Sequence, residues 1–417
     1  MRIALISDFY LDYVGGAQSS IHEQQAALEA AGHTVFLVSC ARLPRGMSLR
    51  AGDRSLQVRP TYTVPGVILP VVGASTALIR TLRHYFENND IDVVHLQTEF
   101  GLAHAATSAA EQLGLPIVHT VHTFYWQSAG WWQSVITPAL RFGLQNVTQR
   151  KFPRQSFTTR PSDNLLRNLT LSMAWRVDTV VSPSAHQAAD LVAAGVDAPV
   201  VVVPNPIARS SRAPQPLTTT TALPRLLWVA RCEPEKRPLV FAEAVLQALS
   251  ETHNGFEVDF VGDGTELAAL RTLTAGHPHI RVHGGLDHEA VIDLIDASSA
   301  VVLTSIGFDN QPMTIAEAVS RFRGVIYCDP KLSEGLQNAG ELTRAADATG
   351  LASTIVSLVN APERLIAMSE GAKHDSAVFS GETYVKRMDE VYFDALARVR
   401  SKPRAAASAR LRLPPHA

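Results

Sequence analysis

Short apolar runs alternate with helical patterns along most of the chain. The first half carries such runs at 2–7, 34–39, 92–96, 116–121, 178–182 and 200–204, with helices predicted around Ser19–Ala31 and Ala103–Leu113. Runs that are apolar throughout, without polar alternation, are typical of parallel strands covered on both faces. The alternation of strands and helices therefore predicts a doubly wound α/β sheet.

The pattern stops at 206–224, which is rich in Pro, Ser and Thr and has no periodicity, so this segment is predicted to be a linker. Apolar runs then return at 225–230, 257–262, 280–284, 300–305 and 324–328, and helices are predicted from Pro238, Glu266 and His288 and around Thr314–Arg321. We expect two Rossmann-like domains, at 1–205 and 225–380, that face a central cleft. A helix at 381–400 is expected to pack back towards the N-terminal domain, and 401–417 to be a disordered basic tail.

Composition narrows the class of protein. The chain has 417 residues, 46% hydrophobic and 18% charged, which suits a two-domain globular enzyme. Its net charge of −2 gives no reason to expect a nucleic-acid partner. Three separated cysteines, Cys40, Cys232 and Cys328, do not predict a disulfide framework or a zinc cluster. The start lacks a signal-peptide cleavage site and no run is long enough to span a bilayer, so we expect a cytoplasmic protein.

Two loops that follow first strands could bind an anion. Gly15 and Gly16 precede the first helix, where backbone N–H groups can approach a phosphate; the alternative is a plain tight turn. Arg231 and Lys236 follow the first strand of the second domain and suit a pyrophosphate. The alternative there is a solvated loop whose own acids, Glu233 and Glu235, neutralise the cations.

The segment from Gly307 to Glu317 places one carboxylate, Asp309, in a loop and a second, Glu317, inside an apolar helix. The free N–H groups at the start of that helix can hold a phosphate, and Glu317 can accept hydrogen bonds from two ribose hydroxyls. His122 ends the strand at 116–121, where it can bind a sugar hydroxyl or a phosphate; a lone His is also often structural.

Taken in this order, these features resemble glycosyltransferase family 4, whose members are retaining enzymes of the GT-B fold. The resemblance covers about residues 1–395. The stretches Val94–Gly101 and His119–Tyr125 look like the branch that glycosylates diacylglycerol or phosphatidylinositol-type lipids, with UDP-glucose or GDP-mannose as donor.

The resemblance implies a role for each matching residue. Arg231 and Lys236 would neutralise the pyrophosphate, Glu317 would hold the ribose, and Asp309 would face the donor sugar together with the amides of Gln311, Met313 and Thr314. From the other domain, the Gly15–Gly16 loop would contact the distal phosphate, His122 would contact the sugar, and Glu99 would lie on the acceptor side. No metal or other cofactor is implied, because the cations serve the diphosphate, and no protein nucleophile is expected.

The sequence departs from the family pattern at several positions. Asp309 stands where the family has Glu, Ala230 and Arg237 stand where it has Gly, and Asn205-Pro206-Ile207 replaces a familiar Asn-Gly-Val-Asp. The loop Val319–Val325 lacks the usual Ala-x-Gly-x-Pro. These changes leave the predicted fold intact and bear on the identity of the donor and on the level of activity.

The window from Phe124 to Arg176 is basic and rich in Trp. Against one acid, Asp163, it holds seven cations: Arg141, Arg150, Lys151, Arg154, Arg160, Arg167 and Arg176. It also holds Trp126, Trp131, Trp132 and Trp175. Basic residues among tryptophans suit an anionic membrane surface. The alternatives are a solvated loop whose aromatic residues pack on the domain, and a single-stranded nucleic acid, which the sugar-nucleotide features disfavour.

Three hypotheses for the function remain. The first is a retaining transfer of glucose or mannose to a lipid-type acceptor at the inner face of the membrane, with Trp126, Trp131, Trp132, Arg150, Lys151 and Arg154 at the membrane or acceptor. The second is the same chemistry on a soluble acceptor, such as an inositol phosphate or a glycan. The third is a non-catalytic protein that binds a sugar nucleotide.

Overall fold

The computed structural model describes residues 1–12, 15–64, 69–125, 127, 133, 135–207, 212–218, 223–253 and 255–401. The chain forms two compact units. The N-terminal unit consists of Met1–Asn205 and the chain from Tyr384 onward, and the C-terminal unit consists of Pro206–Thr383. The change of unit after Asn205 coincides with the end of the apolar runs in the first half of the sequence.

The N-terminal unit is built on an eight-stranded sheet with the order β10-β9-β8-β7-β1-β2-β4-β3. Neighbouring strands are parallel, except that β3 is antiparallel to β4, and β5 and β6 form a separate antiparallel pair. The strands are β1 (Arg2–Tyr10), β2 (Thr34–Cys40), β3 (Leu49–Gly52), β4 (Ser55–Val58), β5 (Tyr62–Val64), β6 (Leu69–Val71), β7 (Val93–Leu96), β8 (Ile117–Thr120), β9 (Thr179–Ser182) and β10 (Val200–Val202).

Six helices within the described residues connect these strands. They are α1 (Gly16–Ala30), α2 (Thr76–Asn88), α3 (Gly101–Leu113), α4 (Thr137–Thr148), α5 (Pro161–Ala174) and α6 (Ala185–Ala193). The strands β1, β7, β8 and β9 are buried almost along their whole length, which is why they read as continuous apolar runs. The strands β3 to β6 were not predicted from the sequence, because they are short and partly exposed and so lack a continuous apolar run.

The C-terminal unit has a six-stranded, all-parallel sheet with the order β13-β12-β11-β14-β15-β16. Its strands are β11 (Arg225–Val229), β12 (Glu257–Val261), β13 (Ile280–Gly284), β14 (Ala300–Leu303), β15 (Gly324–Tyr327) and β16 (Gly340–Leu342). Its helices are α7 (Pro238–Glu251), α8 (Leu267–Leu273), α9 (His288–Ala297), α10 (Met313–Ser320), α11 (Ala348–Val359) and α12 (Pro362–Asp375), with short 3-10 turns at Pro234–Lys236 and Ser376–Phe379. Two apolar clusters, one on each face of the sheet, make this unit doubly wound.

The predicted helix starts at Pro238 and His288 are confirmed. Pro238 is the first residue of α7, where its missing N–H has no intrahelical partner to lose. Asp287 caps α9 by accepting a hydrogen bond from the amide of Ala290 at 2.8 Å.

The last helix, α13 (Gly381–Ser401), belongs to the N-terminal unit from Tyr384 onward. Its apolar face lies on the sheet in one buried cluster with β1, β7 and β8, and the residues it buries there are Tyr384, Val385, Met388, Val391, Tyr392 and Ala395. The basic tail predicted at 401–417 falls outside the described residues beyond Ser401. No helix in the described part of the chain is long and apolar enough to cross a membrane.

Candidate functional site

The strand order of the C-terminal unit reverses between β11 and β14. These strands are neighbours, and Trp228 on β11 lies opposite Val302 on β14. From β11 the chain proceeds to β12 and β13 on one side, and from β14 to β15 and β16 on the other. The loops that leave two such strands diverge and open a crevice at their carboxyl ends. Arg231 and Lys236 follow β11 and Asp309 follows β14, so the predicted anion-binding residues meet at this point.

Lys236 and Asp309 form an ion pair, with Nζ 2.5 Å from Oδ1. Both side chains are largely buried, with 14% and 12% of their surface exposed. Ser305 donates its hydroxyl to the other carboxylate oxygen of Asp309, and the Lys236 ammonium lies 5.0 Å from the centre of the Phe308 ring. The reduced contact with water strengthens the attraction between the two charges.

Arg231 is in a different environment, with 64% of its side chain exposed. It pairs with Glu235 at 2.9 Å, so one acid of the loop does neutralise a cation, as the alternative interpretation held. Glu233 does not; it accepts hydrogen bonds from the amide and the hydroxyl of Thr265. An exposed pair such as Arg231–Glu235 contributes about 0.2–1 kcal/mol, so a phosphate can replace the carboxylate at little cost.

Helix α10 begins beside these residues. The hydroxyl of Thr314 donates to the carbonyl oxygen of Val229 at 3.2 Å, which fixes the first turn of α10 against the end of β11. Gln311 and Met313 are half-buried in the loop and first turn. Pro312 occupies the cap position and supplies no side-chain acceptor for the first N–H groups. This helix start is therefore suited to an anion.

Glu317 lies on α10 one turn after Thr314. Residues three apart on a helix lie on the same face, so Glu317 continues the row that starts with Thr314. Its side chain is mostly buried, and one carboxylate oxygen is 3.9 Å from Nδ1 of His288. Of the elements predicted in this unit, the structure thus pairs Lys236 with Asp309 directly, holds the start of α10 against the end of β11, and places Arg231 in the loop after β11 and Glu317 on α10.

Arg237, where the family pattern has Gly, has a left-handed backbone with φ of 57°. This conformation explains a preference for glycine. The Arg side chain offsets the strain with two hydrogen bonds, to the carbonyl oxygens of Thr304 at 3.1 Å and Ala346 at 2.6 Å. Thr304 in turn donates its hydroxyl to the carbonyl of Lys236 at 2.5 Å. The substitution therefore ties the Lys236 loop to the end of β14.

The changed loop after α10 also has a structural role. Arg321 makes two hydrogen bonds to the Asp296 carboxylate and one to the carbonyl of Arg212, and Arg323 donates to the carbonyl of Gln215. These bonds attach the described middle of the predicted linker, 212–218, to the C-terminal unit. The two arginines of this loop, which lacks the family's Ala-x-Gly-x-Pro, therefore hold the segment 212–218 in place.

Two glycines that the sequence analysis overlooked support the Arg231 loop. A Cβ on Gly262 would lie 1.8 Å from the carbonyl oxygen of Ala230, and one on Gly264 would lie 2.4 Å from that of Cys232. The loop after β12 therefore packs directly on the backbone on both sides of Arg231. The signal available in the sequence was the Gly-Asp-Gly motif directly after an apolar run.

In the N-terminal unit the strand order reverses between β1 and β7. The Gly15–Gly16 loop follows β1. Gly15 caps α1 with an extended backbone, and Gly16, the first helical residue, is exposed. No side chain caps this helix, so its first N–H groups face no protein acceptor from a cap residue.

Asp8, near the end of β1, is a second feature that the sequence analysis passed over. It is fully buried and caps α3 by accepting hydrogen bonds from the amides of Leu102 at 2.7 Å and Ala103 at 3.2 Å and from the Thr98 hydroxyl at 2.7 Å. Burial nevertheless raises the pKa of Asp8 to about 6. Asp8 therefore stabilises the start of α3 at the expense of holding a buried charge.

His122 follows β8, as predicted, and is half-buried. Its Nε2 is 2.7 Å from Oε1 of Gln97. Burial lowers the pKa of His122 to about 4, so the ring is neutral at pH 7. Glu99 is buried and accepts a hydrogen bond from the Thr170 hydroxyl at 2.7 Å.

Some cations of the predicted basic cluster are buried in internal contacts and do not lie at the surface. Arg176 is buried and paired with Glu111 at 2.8 Å, and Arg167 lies over the rings of Phe124, Tyr125 and Phe157. The seven cations counted between Phe124 and Arg176 are therefore not all available at the surface, because Arg176 and Arg167 are used in internal contacts. Of the three cations assigned to a membrane or acceptor surface, Lys151 and Arg154 are exposed and Arg150 is half-buried. Trp126, Trp131 and Trp132 lie outside the described residues.

The same part of the chain exposes large apolar side chains around the start of α4. Val135 and Phe142 are 68% and 69% exposed, and Ile136 and Leu140 are also exposed. These four residues lie within eight positions of the chain and are called the apolar patch below. A concentration of exposed apolar side chains is typical of a surface that contacts an apolar partner.

The chain has two Rossmann-like units, and cations and a helix start lie at the switch point of the second one. This architecture defines the fold class as GT-B. Residues 14–210 match the family model for Glycosyltransferase Family 4, and residues 223–361 match the model for Glycosyl transferases group 1. The chain therefore belongs to the glycosyltransferases that combine these two domains, as its resemblance to family 4 predicted.

Individual relatives agree with this family. Glycogen synthase from Mycobacterium tuberculosis is 26% identical over 425 residues, which cover 95% of each chain. Alpha-monoglucosyldiacylglycerol synthase from Acholeplasma laidlawii is 26% identical over 129 residues, and the match spans only 30% of each chain. The solved sucrose-phosphate synthase from Thermosynechococcus elongatus is 18% identical, has a TM-score of 0.65 and covers 95% of this chain and 99% of that one.

Proposed function

We propose that this glycosyltransferase is a retaining enzyme that moves glucose or mannose from a UDP- or GDP-sugar to a lipid-type acceptor at the cytoplasmic face of a membrane. The observation that supports the donor half is the Lys236–Asp309 pair at the switch point of the C-terminal unit, next to the start of α10. Arg231 and Lys236 bind the diphosphate and Glu317 binds the ribose.

The chemistry that fits these residues is charge stabilisation. As the sugar leaves, negative charge develops on the diphosphate, and the Lys236 ammonium is already held in place by Asp309 to receive it. A prepositioned cation in a site with little water needs no rearrangement during the reaction. The proposed reaction is a front-face displacement without a protein nucleophile or a metal, so that positioning and charge stabilisation carry catalysis.

The lipid acceptor is supported by the apolar patch at Val135, Ile136, Leu140 and Phe142, near the exposed Lys151 and Arg154 in sequence. Apolar side chains can enter the membrane interface while cations contact anionic lipid headgroups, each contributing about 1 kcal/mol. The named acceptor-side residues are Glu99 and His122.

Sedimentation with vesicles tests this part of the proposal. The full chain should sediment with vesicles of anionic lipid and remain in solution with neutral ones, and Phe142→Ser with Val135→Ser should abolish sedimentation. Phe393→Ser is the matched control, since Phe393 is 60% exposed on α13. Equal binding of the wild type and the double variant would contradict the lipid surface.

A soluble glycan acceptor is the second candidate, and the full-length match to glycogen synthase favours it. A panel of UDP- and GDP-sugars, offered with diacylglycerol, phosphatidylinositol, inositol phosphate or an oligoglucan, separates the two. Transfer to the lipids alone supports the first proposal, and transfer to the soluble acceptors supports the second. Nucleotide binding without any transfer would support the non-catalytic hypothesis.

A further inference from the structure

A chain of buried side-chain hydrogen bonds leads from His122 into the core of the N-terminal unit. Gln97, which follows β7, lies between His122 and Gln24 on α1. Its Oε1 is 2.7 Å from Nε2 of His122, and its Nε2 donates to Oε1 of Gln24 at 3.0 Å. Gln97 and Gln24 are both fully buried, so water does not compete for the hydrogen bonds of these two amides.

The orientation of Gln24 is set by three further partners. Its Oε1 accepts a hydrogen bond from the Tyr384 hydroxyl at 2.8 Å, and its Nε2 donates to Ser20 and to Oδ1 of Asn205, both at 3.0 Å. To turn Gln97 around, the amides of Gln24 and Asn205 would have to turn as well. The arrangement therefore presents the oxygen of Gln97, and not its nitrogen, to His122.

His95 supports the same orientation from the other side. Its Nε2 is 3.2 Å from Nε2 of Gln97 and 2.7 Å from the Thr120 hydroxyl, and its Nδ1 is 2.8 Å from the Tyr392 hydroxyl. Burial lowers the pKa of His95 to about 3, so this ring is neutral. A neutral His95 that donates from Nδ1 to Tyr392 can accept from the Gln97 amide nitrogen at Nε2.

We propose that Gln97 is a positioning residue that fixes His122 as its neutral Nε2–H tautomer, so that Nδ1 acts as a hydrogen-bond acceptor for a hydroxyl of the sugar or of the acceptor. An amide oxygen can only accept, so the proton on His122 lies at Nε2. The tautomer determines which of the two predicted ligands, a hydroxyl or a phosphate, His122 can bind. A ring nitrogen without a proton accepts from a hydroxyl and repels a phosphate oxygen.

The surroundings of His122 keep the ring neutral. His95 from β7 and His119 from β8 both interact electrostatically with His122, and burial lowers the pKa of each to about 3. Neither supplies a negative charge that would favour a second proton on His122. The inference deepens the proposed function, because it rests on contact between His122 and a substrate, although the tautomer itself does not depend on that contact.

The tautomer can be measured without any assay of activity. In protein labelled with 15N-histidine, the His122 signals are those lost in His122→Asn. We expect a protonated, pyrrole-type Nε2 and an unprotonated, pyridine-type Nδ1 at pH 7. Gln97→Glu retains an acceptor and adds a negative charge, so it should keep this tautomer and raise the pKa of His122. Gln97→Met removes the acceptor and should give a mixture of tautomers. Gln25→Met, which removes an amide that donates to Glu29 at the surface of α1, should leave the signals unchanged.

An Nδ1–H tautomer, or a mixture in the wild type that Gln97→Met does not alter, would overturn the inference. A transfer assay then addresses the proposed function separately. Gln97→Met should lower kcat about tenfold with little change in the KM of the donor, and Gln97→Glu should shift the acid limb of the pH profile upward. A fixed Nε2–H tautomer combined with full activity of His122→Asn would remove His122 from the proposed function and leave the tautomer established.

Discussion

His119, in the middle of β8, is a buried imidazole without a hydrogen bond. Its side chain is fully buried, and neither ring nitrogen has a partner among the described residues. Burial, with a smaller contribution from His122, lowers the pKa of His119 to about 3. Replacing His119 with Leu introduces an apolar side chain of similar size and removes a titrating group without breaking a hydrogen bond to a described residue.

The sign of the pH effect follows from the lowered pKa. In the unfolded chain the imidazole titrates near 6.5, whereas in the folded protein it stays neutral down to about pH 3. The contribution of His119 to stability is therefore complete above pH 6.5 and is lost progressively as the pH falls below that value. Between pH 7 and pH 5 the loss amounts to about 2 kcal/mol.

The His119→Leu variant should not lose stability in this way as the pH falls. Relative to that of wild type, its free energy of unfolding should increase by about 2 kcal/mol when the pH is lowered from 7 to 5, so the variant becomes the more stable protein. At pH 7 the substitution should already be neutral or stabilising, because an unpaired buried polar group costs about 1–3 kcal/mol.

Hydrogen exchange in denaturant, followed by mass spectrometry, can report each unit separately. Peptides that cover β7 and β8 report the N-terminal unit, and peptides that cover β11 and β12 serve as an internal reference. His84→Leu is the matched control for the same substitution at an exposed site, because 77% of the His84 side chain is exposed. If the difference between His119→Leu and wild type were the same at pH 7 and pH 5, the ring would not be desolvated and the reasoning would fail.

Four further substitutions test the C-terminal unit. Lys236→Ala should lower kcat for transfer by about a hundredfold or more, because it removes the cation that meets the developing charge, and steady-state kinetics would check this. Glu317→Ala should mainly raise the KM of the donor, and retained donor affinity in a binding titration would contradict its ribose role. Arg237→Gly should relieve about 1–2 kcal/mol of backbone strain yet lose two hydrogen bonds, so chemical denaturation should show little net gain or a loss of about 1–2 kcal/mol. Gly262→Ala should destabilise the unit by several kcal/mol, since its Cβ would meet the Ala230 carbonyl at 1.8 Å and its φ of 137° is strained for any side chain. A thermal melt like that of wild type would refute the close approach.

The change of unit at Asn205 could be predicted because the apolar runs stop there and a Pro-, Ser- and Thr-rich segment follows. The order of Arg231, Lys236, Asp309 and Glu317 along the chain was enough to place them at strand ends and on one helix. The basic cluster was predicted less well, because a count of charges does not distinguish the buried Arg176 from the exposed Arg154.

Other features depend on contacts that the sequence does not display. Asp8 lies near the end of β1, yet it caps a helix that begins over ninety positions later. Gln97 gave no signal of its own, because its importance comes from Gln24 and His122, which are distant in sequence.

The two α/β units and the residues at the ends of their strands can be predicted from the sequence, because local periodicity sets the elements and parallel sheets gather their carboxyl ends on one edge. Which of these residues are paired, buried or neutral depends on the folded structure. Ion pairs, desolvation and amide orientation arise between segments far apart in the chain, so Lys236 meets Asp309, and Gln97 fixes a proton on His122, only after the sheets have assembled.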